Sequence, residues 1–352
     1  MSDAMTLFSQ ALEQLRLAAV NVPGLTELAQ FPFLFRPLVM VVLLGVVAGV
    51  IGVIVNLHSA EFSAEAMVHA VFPGIVAGAV YWGIDAIIPA ASVVAVAAAL
   101  VLTIVSHRSR RGEASEAGTA VVLTSFFSIG LILSLAKGDM SGQLEALMFG
   151  RLLEVTDARL AQALIVCAVA LLLIAATWKE QVAYAFDRTG ARASGLRILA
   201  LDLVLNTAIA AAVVSASTAV GILLVIGYLV IPGATARVLA SRVRAMVVVA
   251  IAVGVGGGYL GMLLMVLPET LDKPNSPQAT VALVMTGILL LAVGVSTVRE
   301  RLDRIRHRDH SAQPVTVAAA STMAGAEATA DRAGGAEGSA SGVTPVAERS
   351  RV

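Results

Sequence analysis

Apolar residues run along this chain in blocks of about 18 to 23, the length a helix needs to cross roughly 30 Å of hydrocarbon. The blocks fall near 37–57, 62–83, 86–106, 117–136, 160–178, 198–214, 218–240, 244–267 and 279–298. Strict strand alternation is absent, which argues against a β-barrel. The pattern predicts an all-α, polytopic transmembrane helical bundle of about 8–9 spans. Ahead of it, residues 1–36 are mixed in character. Leu7, Phe8, Ala11, Leu12 and Leu15 recur there at helical spacing, which predicts an amphipathic segment at the interface.

The first strongly apolar run begins near Leu38, too late and too long for a cleavable signal, so it is read as a retained membrane helix. The membrane domain is expected over 37–298, with a basic juxtamembrane segment over 299–310. Residues 311–352 are rich in Ala, Ser, Gly and Thr with almost no large apolar side chains. Such a tail cannot offset its ordering entropy, and disorder is expected. His307 and His310 precede it and read as part of a solvated basic anchor.

Composition agrees. The chain is 58% hydrophobic and only 14% charged, where soluble domains carry roughly 25% charged residues. A formal net charge of +0 gives no sign of nucleic-acid binding, and none is expected. Cys167 is the single cysteine, so an intrachain disulfide or a cysteine metal cluster is excluded.

Basic residues then orient the spans. Arg108, Arg110 and Arg111 follow the third block; Lys179, Arg188, Arg192 and Arg197 follow the fifth. Arg237, Arg242 and Arg244 follow the seventh, and Arg299, Arg301, Arg304, Arg306 and Arg308 follow the ninth. These loops share one side under a nine-span count. The loop over 268–278 and short turns near Asp85 and Ser215 fall on the other. The expectation is a multi-pass protein of the cell (plasma) membrane with a cytoplasmic C-terminus.

The polar residues inside the blocks carry the candidate chemistry. Glu61, Glu65 and His69 are spaced i, i+4, i+8 and share one helical stripe, which His58 extends if the helix starts early. A charge at the bilayer centre costs at least about 2.5–3.5 kcal/mol on insertion scales, so such groups face protein or a wet cavity. Carboxylate and imidazole together suit Zn²⁺ or Mn²⁺. The same acids also fit a helix start at headgroup level, where they favour the N-terminal dipole. Pro73-Gly74 and Pro232-Gly233 are expected to break or loosen their helices. Paired interruptions of this kind often mark a permeation pathway, although simple kinks are the alternative. Asn56, Asp202 and Asn206 are further polar intramembrane groups, and the last two, at i, i+4, read as interhelical glue. No phosphate loop, H-E-x-x-H or G-x-S-x-G sequence occurs, which argues against ATP binding and hydrolase chemistry by this chain.

Several stretches resemble the membrane permease subunits of zinc/manganese/iron ABC importers. In "AEAMVHAVFPG" (64–74), His69, Ala70, Pro73 and Gly74 match a family pattern like G-D-A-L-S-H-A-x-x-P-G. Glu65 keeps the carboxylate of the usual aspartate, and Val68 replaces a serine. His58 and Ser59 stand where the family carries two basic residues. "FFSIGLILSL" (126–135) and "LEALMFGRLLEV" (144–155) are similar to further family segments. "YAFDRTGARASGLRI" (184–198), with Asp187, Gly190 and Gly195, is similar to the family's ATPase-coupling region. "TAVGILLVIGYLVIPGATARVLA" (218–240) resembles a conserved block usually ending P-A-A-T-A.

The resemblance covers roughly 30–300. It implies an ATP-driven importer permease with no ATPase motif of its own, working as a homodimer or paired permease. Cytoplasmic ABC ATPase subunits and an extracytoplasmic metal-binding protein are the implied partners. His69, Glu65 and Glu61 become candidate metal-pathway residues. The cargo is Zn²⁺ by preference, with Mn²⁺ or Fe²⁺ also suited, and no cofactor is held permanently. An ion-gradient-driven secondary transporter or channel, with Glu65, His69 and Asp202 as proton-linked groups, is the alternative. An intramembrane enzyme or a non-transporting partner is a third reading.

Overall fold

A computed structural model describes residues 2–108, 112–136, 150, 152–266 and 276–311. The tail over 312–352, and most of the loops over 137–151 and 267–275, lie outside the described residues, as do the side chains of His307 and His310. Residues up to Ser296 form one compact body, and those from Thr297 onward form a second. In the second, Arg304 faces Glu300 at 3.8 Å across one helical turn.

The described secondary structure is helical. It comprises α1 (Ser2–Val20), α2 (Thr26–Ala29), α3 (Pro32–His58), α4 (Glu61–Ala70), α5 (Phe72–Ala77) and α6 (Ile87–Arg108). Then follow α7 (Gly112–Leu135), α8 (Asp157–Ala176), α9 (Trp178–Phe186) and α10 (Arg188–Ala193). The rest are α11 (Ile198–Val220), α12 (Ile222–Leu239), α13 (Val243–Val266) and α14 (Pro277–Ser311). Among the described residues eight helical segments are long and apolar enough to cross a membrane, and Leu224–Leu239 is a shorter apolar helix. Adding it gives the nine blocks read from the sequence.

One boundary needs correction. The turn expected near Ser215 does not exist: Ser215 is buried inside α11, which continues to Val220. The corner falls at Gly221, whose φ of 79° suits a residue without a Cβ. The polar cluster Ser215, Ser217 and Thr218 lies within the helix just ahead of the corner, so hydropathy places the turn too early.

The packing core is α3, buried against α12 and α13. Its seam is made of glycines. A Cβ on Gly45 would lie 2.6 Å from the backbone nitrogen of Val255, and one on Gly52 would lie 2.3 Å from the Leu229 carbonyl oxygen. Small residues let helix backbones approach closely where water offers no hydrophobic drive between spans. Tyr228 locks the seam, its buried hydroxyl lying 3.0 Å from each of the Val41 and Gly254 carbonyl oxygens. Cys167 is fully buried on α8, as a small core side chain. The outward faces remain apolar: Val93, Ile165, Leu172, Leu283 and Leu291 are all exposed. Hydrocarbon is the solvent that accepts such a surface.

The two ends of the bundle differ. At one, Asp157 on α8 accepts from Ser9 of α1 at 3.0 Å and pairs with Arg36 of α3. Phe8 and Leu12 of α1 pack on the core, while Leu7, Leu15 and Leu17 are exposed. Of the stripe read from the sequence, Phe8 and Leu12 thus face the core, while Leu7 and Leu15 do not. At the other end lie the C-termini of α3 and α6, the start of α7, and α9 to α11. The basic residues Arg188, Arg192 and Arg197 are gathered there.

Candidate functional site

α3 ends at His58, and Ser59 turns the chain in a left-handed conformation, φ 51°. α4 starts two residues later with Glu61 in its first turn. Glu61, Glu65 and His69 are each half-buried on this helix, while Ala64, Met67 and Val68 are buried. The stripe is therefore the partly open side of α4.

His69 meets α7. Its ring stands edge-on to Phe127, centroids 5.3 Å apart at 86°. Phe127 in turn stacks on Phe72 at 5.2 Å. The His69 Nδ1 is buried and has no hydrogen-bond partner among the described residues. A buried unpaired polar atom costs about 1–3 kcal/mol, a cost that a hydrogen bond or a bound ligand relieves. Glu65, one turn before it, supplies a carboxylate. Among the described residues no three His, Cys, Asp or Glu side chains converge to hold an ion. One copy of the chain thus offers a partial donor set.

The two Pro-Gly pairs end differently. Val71 separates α4 from α5, Pro73 occupies the first turn of α5, and a π-helical turn over Gly78–Trp82 follows. Gly74 permits a close crossing with α6, since its Cβ would lie 2.7 Å from the Ala91 Cα. Pro232, by contrast, lies inside an uninterrupted α12, so the expected break there is not present. Gly233 packs so tightly on α3 that a Cβ would sit 2.4 Å from the Gly52 carbonyl oxygen. Asn56 steadies this crossing by donating to the Val230 carbonyl at 3.4 Å and to its own Gly52 carbonyl at 3.0 Å.

At the arginine-rich end a cavity of about 1090 Å³ opens between α3, α4, α6, α7 and α9 to α11. His58, His107, Tyr184, Arg188 and Asp202 are among its walls. The His58 Nε2 faces the Gln181 carbonyl at 3.0 Å and its ring lies 4.8 Å from Tyr184, tying the end of α3 to α9. Asp202 stands 3.9 Å from the His107 Nδ1 and shares the cavity wall with Tyr184. Burial, aided by the neighbouring Asp202 charge, pushes the Tyr184 phenol up to about 12. Asn206, one turn on from Asp202, donates to Thr103 of α6 at 2.9 Å, an interhelical bond of the kind expected of that pair.

Asp187 caps α10, its carboxylate accepting from the backbone N–H of Thr189 at 3.0 Å and of Gly190 at 2.9 Å. Gly190 lets the cap close, because a Cβ would lie 2.3 Å from Asp187 Oδ2. Gly195 has φ 83° and turns the chain into α11. Beneath this hairpin Tyr184, Ala191, Ile198 and Leu201 form a small core of their own. Phe127, His107 and Tyr184 were invisible as site residues in the sequence. Only the meeting of α4 with α7, and of α11 with α6 and α9, brings them in.

A helical bundle with a polar stripe on one span and a polar chamber at one end defines a multi-pass membrane permease. Residues 30–296 match the model of the ABC 3 transport family, and the chain belongs to that family. The manganese transport system membrane protein MntC of Listeria monocytogenes is 34% identical over 239 residues, covering 68% of this chain and 83% of that protein. The chelated iron transport system membrane protein YfeC of Yersinia pestis is 30% identical over 246 residues, covering 68% and 82%. Among solved structures, PsaBC from Streptococcus pneumoniae in complex with Fab shares the fold with a TM-score of 0.65 at 24% identity, over 76% of this chain and 94% of that one. An inward-facing metal-chelate type ABC transporter shares it with a TM-score of 0.60, over 83% and 98%.

Proposed function

We propose that this chain is the membrane permease of an ATP-driven importer for a divalent transition-metal ion. The observation that carries the reading is His69, with its buried, unpartnered Nδ1 and with Glu65 one turn before it. Imidazole and carboxylate hold Mn²⁺, Fe²⁺ or Zn²⁺. The names of the similar proteins, which carry manganese or chelated iron, put Mn²⁺ and Fe²⁺ ahead of Zn²⁺ as cargo. Two donors from one copy make a loose hold, and a second copy of the permease facing the first across α4 completes the set. A site that bound more tightly would block release.

Glu61, in the first turn of α4 at the arginine-rich end, suits the helix dipole and is the carboxylate of the stripe nearest the exit. Pro73 and Gly74 set the course of the wall past His69, and Pro232 with Gly233 holds α12 against the scaffold. The α10 hairpin, built on Asp187, Gly190 and Gly195, is the docking element for a cytoplasmic ABC ATPase subunit. Hydrolysis belongs to that partner, not to this chain. In this reading the arginine-rich end faces the cytoplasm, and so does the C-terminus, which the basic loops support. An extracytoplasmic metal-binding protein delivers the ion to the opposite end. The permease domain is 37–298, flanked by the interfacial segment 1–36, the basic segment 299–310 and the tail 311–352.

The test is uptake by vesicles containing the whole complex, with Mn²⁺, Fe²⁺ and Zn²⁺ in competition. Expected is ATP-dependent uptake of Mn²⁺ or Fe²⁺ that the better cargo suppresses. Uptake that persists with ATPase activity abolished would sink the importer reading.

A further inference from the structure

We propose that Asp202 and His107 form a second, weak cation site at the arginine-rich end, where the ion pauses before release. The proposal rests on the metal-permease reading and adds a station that the α4 wall does not contain.

Asp202 Oδ2 and His107 Nδ1 are 3.9 Å apart, with 25% and 33% of their side chains exposed. That separation is longer than a hydrogen bond, so neither atom satisfies the other. One ion bonded to both at roughly 2.0–2.2 Å fits between them. The donor types are again carboxylate and imidazole, which suit first-row divalent metals. Tyr184 lines the same cavity, and in this proposal its hydroxyl orients Asp202, the role outer-shell hydrogen bonds play at metal-binding carboxylates. His107 lies in the last turn of α6, where the helix dipole favours positive charge.

The cavity of about 1090 Å³ leaves room for the waters that complete the ion's coordination. Arg188 and Arg192 also line it and are exposed. Their charge weakens cation retention, which suits an exit. The same two helices link the stations. Ser63 of α4 and Thr119 of α7 line the cavity, and His69 and Phe127 lie farther along those helices, by about 9 Å and 12 Å.

The test uses the full complex with its ATPase in nanodiscs, titrated with Mn²⁺ alone and followed by electron paramagnetic resonance. Wild type is expected to show a weak bound Mn²⁺ population. Asp202→Asn and His107→Gln should each weaken it at least about tenfold, and the double variant should be no worse than either single one. His69→Ala should retain it. Tyr184→Phe should weaken it only severalfold, since it removes the orienting bond and keeps both donors. Both single variants keep side-chain size, and co-elution with the ATPase checks assembly; if one fails to assemble, the other decides. Unchanged weak binding in an assembled Asp202→Asn or His107→Gln complex overturns the site. Failure of the importer reading looks different. Wild type would then move none of the three metals, and the binding titration alone would decide the site while its role in release would fall.

Discussion

Pro73-Gly74 and Pro232-Gly233 are the same dipeptide in two membrane helices, with opposite results. At the first, the helix stops at Val71, restarts and then loosens into a π turn. At the second, α12 runs on from Ile222 to Leu239. A proline removes one donor and crowds the preceding turn. Whether the helix yields depends on what surrounds it. Around Pro232 the crossing with Gly52 and the Asn56 amide grips the backbone on both sides. Around Pro73 the chain is buried as well, against the Phe72–Phe127 stack and, through Gly74, against Ala91 of α6. The gripped pair is scaffold, and the loosened pair borders the proposed pathway.

The largest expected effect lies in the gripped pair. Gly233→Val puts carbon atoms where the Gly52 carbonyl stands, and overpacking costs on the order of 1–3 kcal/mol, or more against rigid backbone. Near-complete loss of assembled permease is expected on size-exclusion chromatography. Normal yield would show that α3 and α12 part easily, and the contrast would collapse. Phe127→Ala follows. It removes the ring against His69 and Phe72, with a typical core cost of about 3–5 kcal/mol reduced here by partial exposure. Lower thermal stability is expected, together with severalfold slower uptake by the assembled fraction.

Replacing the prolines by alanine acts on the contrast directly. Pro232→Ala restores a donor within a continuous helix and is expected to leave uptake unchanged while raising the melting temperature. Pro73→Ala, in the first turn of α5 where proline is tolerated, should change stability by less than about 1 kcal/mol but alter uptake through the course of the wall. Equal effects of the two on uptake would erase the distinction. The smallest effect is spectroscopic. The ultraviolet titration of wild type minus Tyr184→Phe should show one phenol with a midpoint near 12, above the ordinary value of about 10. Because the folded-state value is raised, the stability it contributes is present below pH ~10 and is lost as pH rises toward 12. A midpoint near 10 would show that water reaches the ring and that the Asp202 contact is loose.

Much of this architecture was legible in the sequence because hydrocarbon demands long apolar runs. The nine blocks follow from that demand. The corner at Gly221 was misplaced, because the polar Ser215, Ser217 and Thr218 that suggest a turn lie inside the helix before it. Glu65 and His69 were legible as a stripe because helical spacing is local. The His69 partner Phe127 lies in another span, and an apolar aromatic within a membrane helix carries no signal of its own. His58 could not be explained until α9 brought Gln181 and Tyr184 beside it. Pro232 misled for the same reason: a proline states what one backbone atom lacks, and the grip of Gly52 and Asn56 is written elsewhere in the chain.

The most direct measurement of the central claim is the initial rate of Mn²⁺ uptake by proteoliposomes containing the complete complex, wild type against His69→Ala. Equal assembly and an uptake rate lowered at least about tenfold, equivalent to ~1.4 kcal/mol, are expected if the α4 wall carries the ion. An assembled His69→Ala complex that takes up Mn²⁺, Fe²⁺ and Zn²⁺ at the wild-type rate would contradict it.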